Sequence, residues 1–152
     1  MYRRELFIGG RWATPAGTRR AVISPATEEP VGEVPEATTA DIDAAVGAAR
    51  DAFDTGPWPD TEPAERAEVL ERTASILRKR ADEIAGITVE EMGCAAGQAP
   101  KAQTGMLGPV FEYYAELIRS FEFARRVRTP DGRAGMVTSL PVGVVGAIVP
   151  WN

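Results

Sequence analysis

One polar side chain at the end of an apolar run is the first candidate for chemistry in this sequence. Residues 142–149 are all valine, isoleucine, alanine or glycine, and Pro150 has no N–H to continue a strand. An apolar run without polar alternation predicts a strand covered on both faces, as in a parallel sheet. Trp151 and Asn152 then follow its carboxyl end, where open α/β sheets bind ligands. Taken alone, an asparagine after a strand is more often a turn residue.

Two acidic neighbours and a single cysteine are weaker candidates. Glu90 and Glu91 would point about 100° apart on a helix, so they do not share a site and are expected at a solvated helix end. Cys94 has no second cysteine for a disulfide and no histidine to activate it, so we expect a small packing residue. The absence of histidine also argues against a metal site, and we predict none.

The composition is that of a folded protein. Hydrophobic residues make up 44% of the chain, and the net charge of −5 comes from both signs spread along its length. This balance gives no electrostatic basis for binding nucleic acid or an anionic membrane. No apolar run reaches the length of a membrane span, and the amino terminus lacks a signal-peptide pattern, so we expect a cytoplasmic protein.

Short strands and amphipathic helices precede the apolar run. Gly9 and Gly10 predict the turn of a first hairpin. Thr38 followed by Asp41 predicts a capped helix start, and Pro63 predicts the start of a second helix. The segments expected to form these elements are strands within 6–12, 22–27 and 31–34, and helices within 38–56, 63–92 and 99–121.

The later helices lead into a hairpin pattern. We expect Gly86 to interrupt the second helix and Gly93 to end it. An antiparallel hairpin is predicted over 124–140, around a Pro-Asp-Gly turn. Its first strand carries arginines better explained as protection of a sheet edge than as an anion site: Arg125, Arg126 and Arg128. In the third helix, five apolar residues at helical spacing are expected to face inward: Val110, Tyr114, Leu117, Ile118 and Phe121.

The apolar run and its ending resemble a known family. The residues Pro-Val-Gly-Val-Val-Gly-Ala-Ile-Val-Pro-Trp-Asn at 141–152 resemble the strand of NAD(P)-dependent aldehyde dehydrogenases that ends in Pro-Trp-Asn. The Phe-Ile-Gly-Gly-Arg-Trp, Ser-Pro-Ala-Thr and Tyr-Tyr-Ala segments upstream are similar to the family as well. Ser24 replaces an asparagine of the family pattern, and the Lys-Pro expected after Gly93 is absent.

This resemblance implies an α/β fold, the amino-terminal part of an aldehyde dehydrogenase. Residues 1–123 would be strands and helices of the cofactor-binding domain, 124–140 the β-hairpin of the oligomerisation element, and 141–152 the first strand of the Rossmann-like dinucleotide-binding sheet, truncated. No Gly-x-Gly-x-x-Gly occurs in the sequence, so dinucleotide binding rests on the resemblance and not on a phosphate-binding loop.

The resemblance also implies the roles of six residues. Asn152 would donate its amide to the oxyanion of the thiohemiacetal that forms when a catalytic cysteine attacks the aldehyde. Met106 would border the substrate tunnel, although a methionine on a helix is more often core. The residues that would line the cleft for NAD or NADP are Ile148, Val149, Pro150, Trp151 and Asn152.

The implied function is oxidation of an aldehyde to a carboxylic acid by a homo-oligomer assembled through 124–140. The family's cysteine and glutamate lie downstream of Asn152, so these 152 residues alone are expected to be inactive. The exposed apolar run is expected to make the chain aggregate or depend on another chain. The alternative is a non-enzymatic truncated paralogue that docks on full-length subunits through 125–140.

Overall fold

The computed structural model describes residues 4–149, which combine antiparallel hairpins with a group of helices. Within these residues the strands form three two-stranded sheets, each made of sequence neighbours. A 3₁₀ turn at Trp58–Asp60 follows the first helix, and a π-helical segment at Pro100–Thr104 precedes the last one. The elements are β1 (Leu6–Ile8), β2 (Arg11–Ala13), β3 (Arg19–Ile23), β4 (Pro30–Pro35), α1 (Thr39–Asp54), α2 (Pro63–Lys79), α3 (Ala81–Met92), α4 (Leu107–Ser120), β5 (Ala124–Arg128) and β6 (Ala134–Thr138).

The first two hairpins form where the sequence predicts them, with shifted limits. Gly9 and Gly10 have φ of 57° and 78°, which lets a two-residue turn join β1 to β2. The strand expected from residue 22 begins at Arg19 and ends at Ile23, so the residues after it form a turn. Ser24 is buried there, and its N–H donates to the Glu29 carbonyl at 3.0 Å. The turn therefore survives the replacement of the family's asparagine.

Helix α1 begins at a capping box, as predicted. The Thr38 N–H donates to Asp41 Oδ2 at 2.8 Å, and the Asp41 N–H donates to Thr38 Oγ1 at 3.2 Å. The Thr38 N–H is the largest cause that lowers the pKa of the Asp41 carboxyl. Ile42 and Val46, on the apolar face of α1, remain 53% and 51% exposed. No described element covers that face fully.

Helices α2 and α4 pack antiparallel through small residues. Arg78 near the end of α2 donates to Glu112 near the start of α4 at 2.6 Å, and Arg119 donates to Glu71 at 2.9 Å. The buried residues of both helices are seven positions apart, which places them on one face of each helix. They are Ala67 and Ala74 on α2, and Gly108 and Ala115 on α4.

Two predictions about helix limits are wrong, while Gly93 ends α3 at φ 67° as expected. Gly86 lies inside α3, and the break falls at Arg80 instead. The Arg80 guanidinium donates to both Glu83 carboxylate oxygens, at 2.8 and 2.9 Å, which fixes the first turn of α3. The helix predicted over 99–121 is divided because the π-helical segment gives way to a turn before Leu107.

The predicted inward face of α4 is also wrong. The small residues Gly108 and Ala115 are the ones buried, because α2 packs on their side of the helix. Ile118 is half-buried, and the four other large residues predicted to face inward are exposed: Val110, Tyr114, Leu117 and Phe121. Periodicity identified an apolar face correctly, but no described element covers it fully.

The third hairpin forms as predicted, whereas the apolar run after it is not buried. Strands β5 and β6 pair antiparallel from Ala124↔Thr138 to Arg128↔Ala134. No described strand pairs with residues 141–149, where Val142 is 93% exposed. The predicted burial of this run is therefore wrong, since a parallel strand needs hydrogen-bonded neighbours that the described strands do not supply. The predicted residues 150–152 lie outside the described part of the chain.

Overpacking the α2–α4 contact will destabilise the fold. We expect Ala74→Leu to lower the free energy of unfolding by about 1–3 kcal/mol, because Ala74 is fully buried and has no room for three more carbons. Ala44→Leu, at an exposed position of α1, is the matched control and changes it by less than about 0.5 kcal/mol. Urea unfolding measures both, and equal losses would contradict the packing described.

The capping box will make α1 sensitive to acid. Because the folded pKa of Asp41 is lowered from 3.8, its stabilising contribution is present above that value and disappears as pH falls through the folded pKa. Asp41→Asn should therefore lower the melting temperature at pH 7, and the difference from the native chain should vanish at low pH. Asp43→Asn, on the same helix but outside the box, is the control for the loss of one carboxylate and should lower the melting temperature at pH 7 by less than Asp41→Asn does. Circular dichroism melts at several pH values measure this.

Candidate functional site

An aromatic seat, formed by Arg50, Phe53, Trp58 and Arg66, lies where α1 ends and α2 begins. The Arg50 guanidinium lies 4.8 Å from the centre of the Phe53 ring, and the Arg66 guanidinium lies 5.8 Å from the centre of the Trp58 ring. Both distances are within the range of cation–π attraction. Each aromatic ring therefore has a charged partner that restricts its position.

The two arginines of the seat are themselves fixed. Arg50 donates from Nε and Nη2 to the two carboxylate oxygens of Asp54, at 2.9 and 2.6 Å. Arg66 donates to the carbonyl oxygens of Thr61 and Pro59, at 2.8 and 2.9 Å. Charge-assisted bonds of this kind are stronger than neutral ones. The Arg66 bonds tie the connection between the helices to α2, whereas the Arg50–Asp54 pair lies within α1.

The carboxyl-terminal segment, residues 139–149, crosses this seat. A cavity of about 380 Å³ lies between Phe53, Trp58, Arg66 and the start of the segment at 139–141. A second cavity, of about 400 Å³, is lined by the same two rings and by residues 143–145. The Phe53 and Trp58 rings therefore line both cavities, one with the start of the segment and one with residues 143–145.

Within residues 141–149, only Gly143 and Val144 are partly buried. Gly143 and Val144 are half-buried, while Val142 before them and Val145 after them are 93% and 71% exposed. Gly143 has φ 102°, a left-handed value that favours glycine. A Cβ added at Gly143 would be in ordinary van der Waals contact with Arg50, at 3.6 Å, whereas one added at Gly146 would meet nothing within 4 Å.

The residues predicted to bind cofactor and substrate are only partly described. Ile148 and Val149 are 98% and 84% exposed, and Pro150, Trp151 and Asn152 lie outside the described residues. Met106 is 65% exposed and lies in the turn just before α4. The roles of these residues therefore remain predictions.

The other candidates carry no sign of a catalytic group in the described structure. Cys94 is half-buried directly after the glycine that ends α3, and Glu90 and Glu91 lie in the last turn of that helix. Within residues 4–149, no three Asp, Glu or Cys side chains are grouped so that they hold a metal ion. None of the helices between these limits combines the length and the apolar composition that a membrane crossing needs.

Carboxylates with a lowered pKa lie at turns and helix starts rather than at the seat. The Thr18 hydroxyl donates to Glu36 at 2.5 Å and is the largest cause of the lowered pKa of Glu36, with Arg20 adding to it. A hydrogen bond from a neighbouring side chain also lowers the pKa of Glu83 and of Asp131. These carboxylates stabilise local structure, because each bond joins residues of the same hairpin or helix start.

The sequence pattern did not point to the seat. A polar residue off the apolar face of a helix, such as Arg50, is typical of a solvated side, and a Gly-Pro-Trp-Pro segment is typical of a helix end. The available signal was the spacing of Arg50 and Asp54, which are one helical turn apart. Arg50 lies near Gly143, which is 93 residues later in the chain. A contact between such distant residues leaves no local pattern in the sequence.

A family model decides which family the chain is part of. The model described as the aldehyde dehydrogenase family matches residues 12–152. The chain belongs to the aldehyde dehydrogenase family. Curated relatives of this family include a geranial dehydrogenase of Castellaniella defragrans, 33% identical over 98% of this chain, and betaine aldehyde dehydrogenase 1 of Oryza sativa, 37% identical over 99% of it. The resemblance stated from the sequence is confirmed.

Solved aldehyde dehydrogenases share the fold. A Mycobacterium tuberculosis aldehyde dehydrogenase complexed with NAD⁺ is 36% identical, with a TM-score of 0.80 over 89% of this chain and 28% of that one. An aldehyde dehydrogenase C of Pseudomonas syringae, complexed with NAD⁺ and octanal, is 33% identical with a TM-score of 0.76, over 80% of this chain and 25% of that one. The predicted fold class is confirmed. The chain spans about three-tenths of the length of the curated relatives that it matches.

Proposed function

We propose that these 152 residues are the amino-terminal part of a subunit that oxidises an aldehyde to a carboxylic acid with NAD or NADP. The observation that carries this proposal is the family match, which extends to Asn152. It is supported by two similar enzymes of known structure, one complexed with NAD⁺ and one with NAD⁺ and octanal. The proposed domain limits are 1–123, 124–140 and 141–152.

Asn152 is the proposed oxyanion donor. A neutral amide stabilises negative charge that develops on the aldehyde oxygen without exchanging a proton with it. The cysteine that attacks the aldehyde and the glutamate that acts as base come from outside these residues. Loss of one such donor typically raises the reaction barrier by about 3 kcal/mol.

The end of the apolar run fits one wall of a dinucleotide cleft. When bound, the nicotinamide cofactor accepts the hydride from the substrate. Ile148 and Val149 are strongly exposed apolar side chains, which suits contact with the adenosine and nicotinamide ribose rather than with phosphates. No glycine-rich phosphate loop occurs in the sequence, so phosphate contacts are assigned to residues outside this chain.

The hairpin of β5 and β6 is the proposed contact with another subunit. In the described structure it pairs with no other sheet, so each strand has one free edge. Met136 is 60% exposed and Val137 is 43% exposed, and an exposed edge with apolar side chains is suited to pairing with another strand. We propose a homo-oligomer joined through 124–140, located in the cytoplasm.

A chimeric subunit tests the function. Residues 1–152 fused in frame to the remainder of the Mycobacterium tuberculosis relative should form NADH in the presence of aldehyde. Asn152→Ala should lower kcat by about 10²- to 10³-fold, because it removes the donor to the oxyanion. Gln98→Ala removes an exposed amide elsewhere and should leave kcat unchanged. An Asn152→Ala chimera with native kcat would contradict the proposal.

The exposed hairpin also favours a second candidate, a non-enzymatic module that docks on full-length subunits through 125–140. The reading frame beyond codon 152 distinguishes the two: continuation into Phe-Pro and a later cysteine supports the enzyme, and a stop codon supports the module. In either case the 152-residue chain alone should form no NADH above a blank, because it lacks the nucleophile and the base. Aldehyde-dependent turnover by that chain would contradict both.

A further inference from the structure

We propose that the outer edge of β6, and not that of β5, is where a second copy of the chain pairs. The inference rests on the proposed contact through 124–140, and it names the edge and the partner of that contact. Two hairpins joined along β6 form one antiparallel sheet of four strands, with the β5 strands outermost. The same edge is used by both copies, so the contact closes as a two-fold dimer.

The register of the hairpin shows which backbone groups lie on each outer edge. The Ser139 N–H donates to the Phe123 carbonyl at 2.8 Å, and the Thr129 N–H donates to the Arg133 carbonyl at 2.9 Å. Opposite residues of an antiparallel pair alternate between bonded and non-bonded positions. The bonded pairs between these limits are therefore 125 with 137 and 127 with 135. The outward groups belong to Ala124, Arg126 and Arg128 on β5, and to Ala134, Met136 and Thr138 on β6.

The two outer edges differ in charge. Strand β5 carries Arg125, Arg126 and Arg128, which are all exposed. In the described part of the chain, none of these guanidinium groups has an ion-pair or hydrogen-bond partner. Strand β6 has no charged residue and no proline. Because charged side chains and proline are what edge strands use against pairing, β5 is protected and β6 is not.

Self-pairing along β5 would bring like charges together. An antiparallel pair centred on Arg126 places that residue opposite its own copy. A shift by one residue places Arg125 opposite its copy, or Arg126 opposite Arg128 of the second copy. Side chains directly opposite each other have Cβ atoms about 4.5–5.5 Å apart, and like charges at that separation are destabilising. Each of these registers therefore disfavours a contact along β5.

Self-pairing along β6 brings no charges together. An antiparallel pair centred on Met136 places Met136 opposite its own copy, Gly135 opposite Val137, and Ala134 opposite Thr138. Met136 is 60% exposed and Val137 is 43% exposed, so the contact removes apolar surface from water. The arginines of β5 then lie on the two outer edges of the sheet, where they remain hydrated.

Hydrogen exchange resolved by residue tests the choice of edge on the full 152-residue chain. The outward N–H groups of β6 should exchange at least about tenfold more slowly at high protein concentration than at low, because pairing protects them. The outward N–H groups of β5 should exchange quickly at every concentration. The inward N–H groups at 125, 127, 135 and 137 are the internal control, since a folded hairpin protects them in monomer and dimer alike.

A charge on the edge of β6 should weaken the dimer. Met136→Lys places two ammonium groups opposite each other and removes an apolar pair, so the dissociation constant of the dimer should rise about tenfold or more. Arg126→Lys, at the residue opposite Met136 in the hairpin, keeps the charge of β5 and should leave the constant unchanged. Sedimentation velocity measures both variants against the native chain.

The outcomes separate this inference from the proposed function. Concentration-dependent protection along β5, or along both edges, would leave a contact through 124–140 in place and overturn the choice of β6. Association that is unaffected by Met136→Lys would overturn it as well. A chain that stays monomeric, or whose control N–H groups are unprotected, would overturn both the contact and the edge. NADH formation by the chimeric subunit tests the oxidation of aldehyde separately, and its absence would not alter the exchange result.

Discussion

Close packing of small residues between α2 and α4 is the interaction on which the rest of the described structure depends. Alanines and a glycine on one face of each helix allow close approach, and ion pairs at both ends set the antiparallel alignment. This contact fixes the start of α2, where Arg66 bonds the turn that carries Trp58. The position of Trp58 and Arg66 in the aromatic seat therefore depends on the packing of α2 against α4.

A core of small residues leaves large apolar side chains without cover. No large side chain is fully buried in the described residues, and Trp58, Phe121 and Ile148 are all more than 45% exposed. Exposure on this scale marks surfaces that other polypeptide covers. It agrees with a chain that spans about three-tenths of its relatives' length.

Features set by neighbours in sequence were predictable, and features set by distant contacts were not. The Thr38–Asp41 box, the Gly9–Gly10 turn and the glycine ending α3 each depend on a few adjacent residues. Gly86 was misjudged because glycine weakens a helix by only about 1 kcal/mol, which the rest of α3 outweighs. The exposed face of α4 was misjudged because periodicity shows which side is apolar, not what covers it. The seat escaped notice because Arg50 meets Gly143 only in the folded chain.

The central proposal is that Asn152 donates its side-chain amide to the oxyanion of the aldehyde. A crystal structure of the chimeric subunit with NAD⁺ and a covalently trapped aldehyde measures this directly. The account predicts Asn152 Nδ2 about 2.7–3.1 Å from the substrate oxyanion. An Asn152 side chain turned away from that oxygen, or another donor in its place, would contradict it.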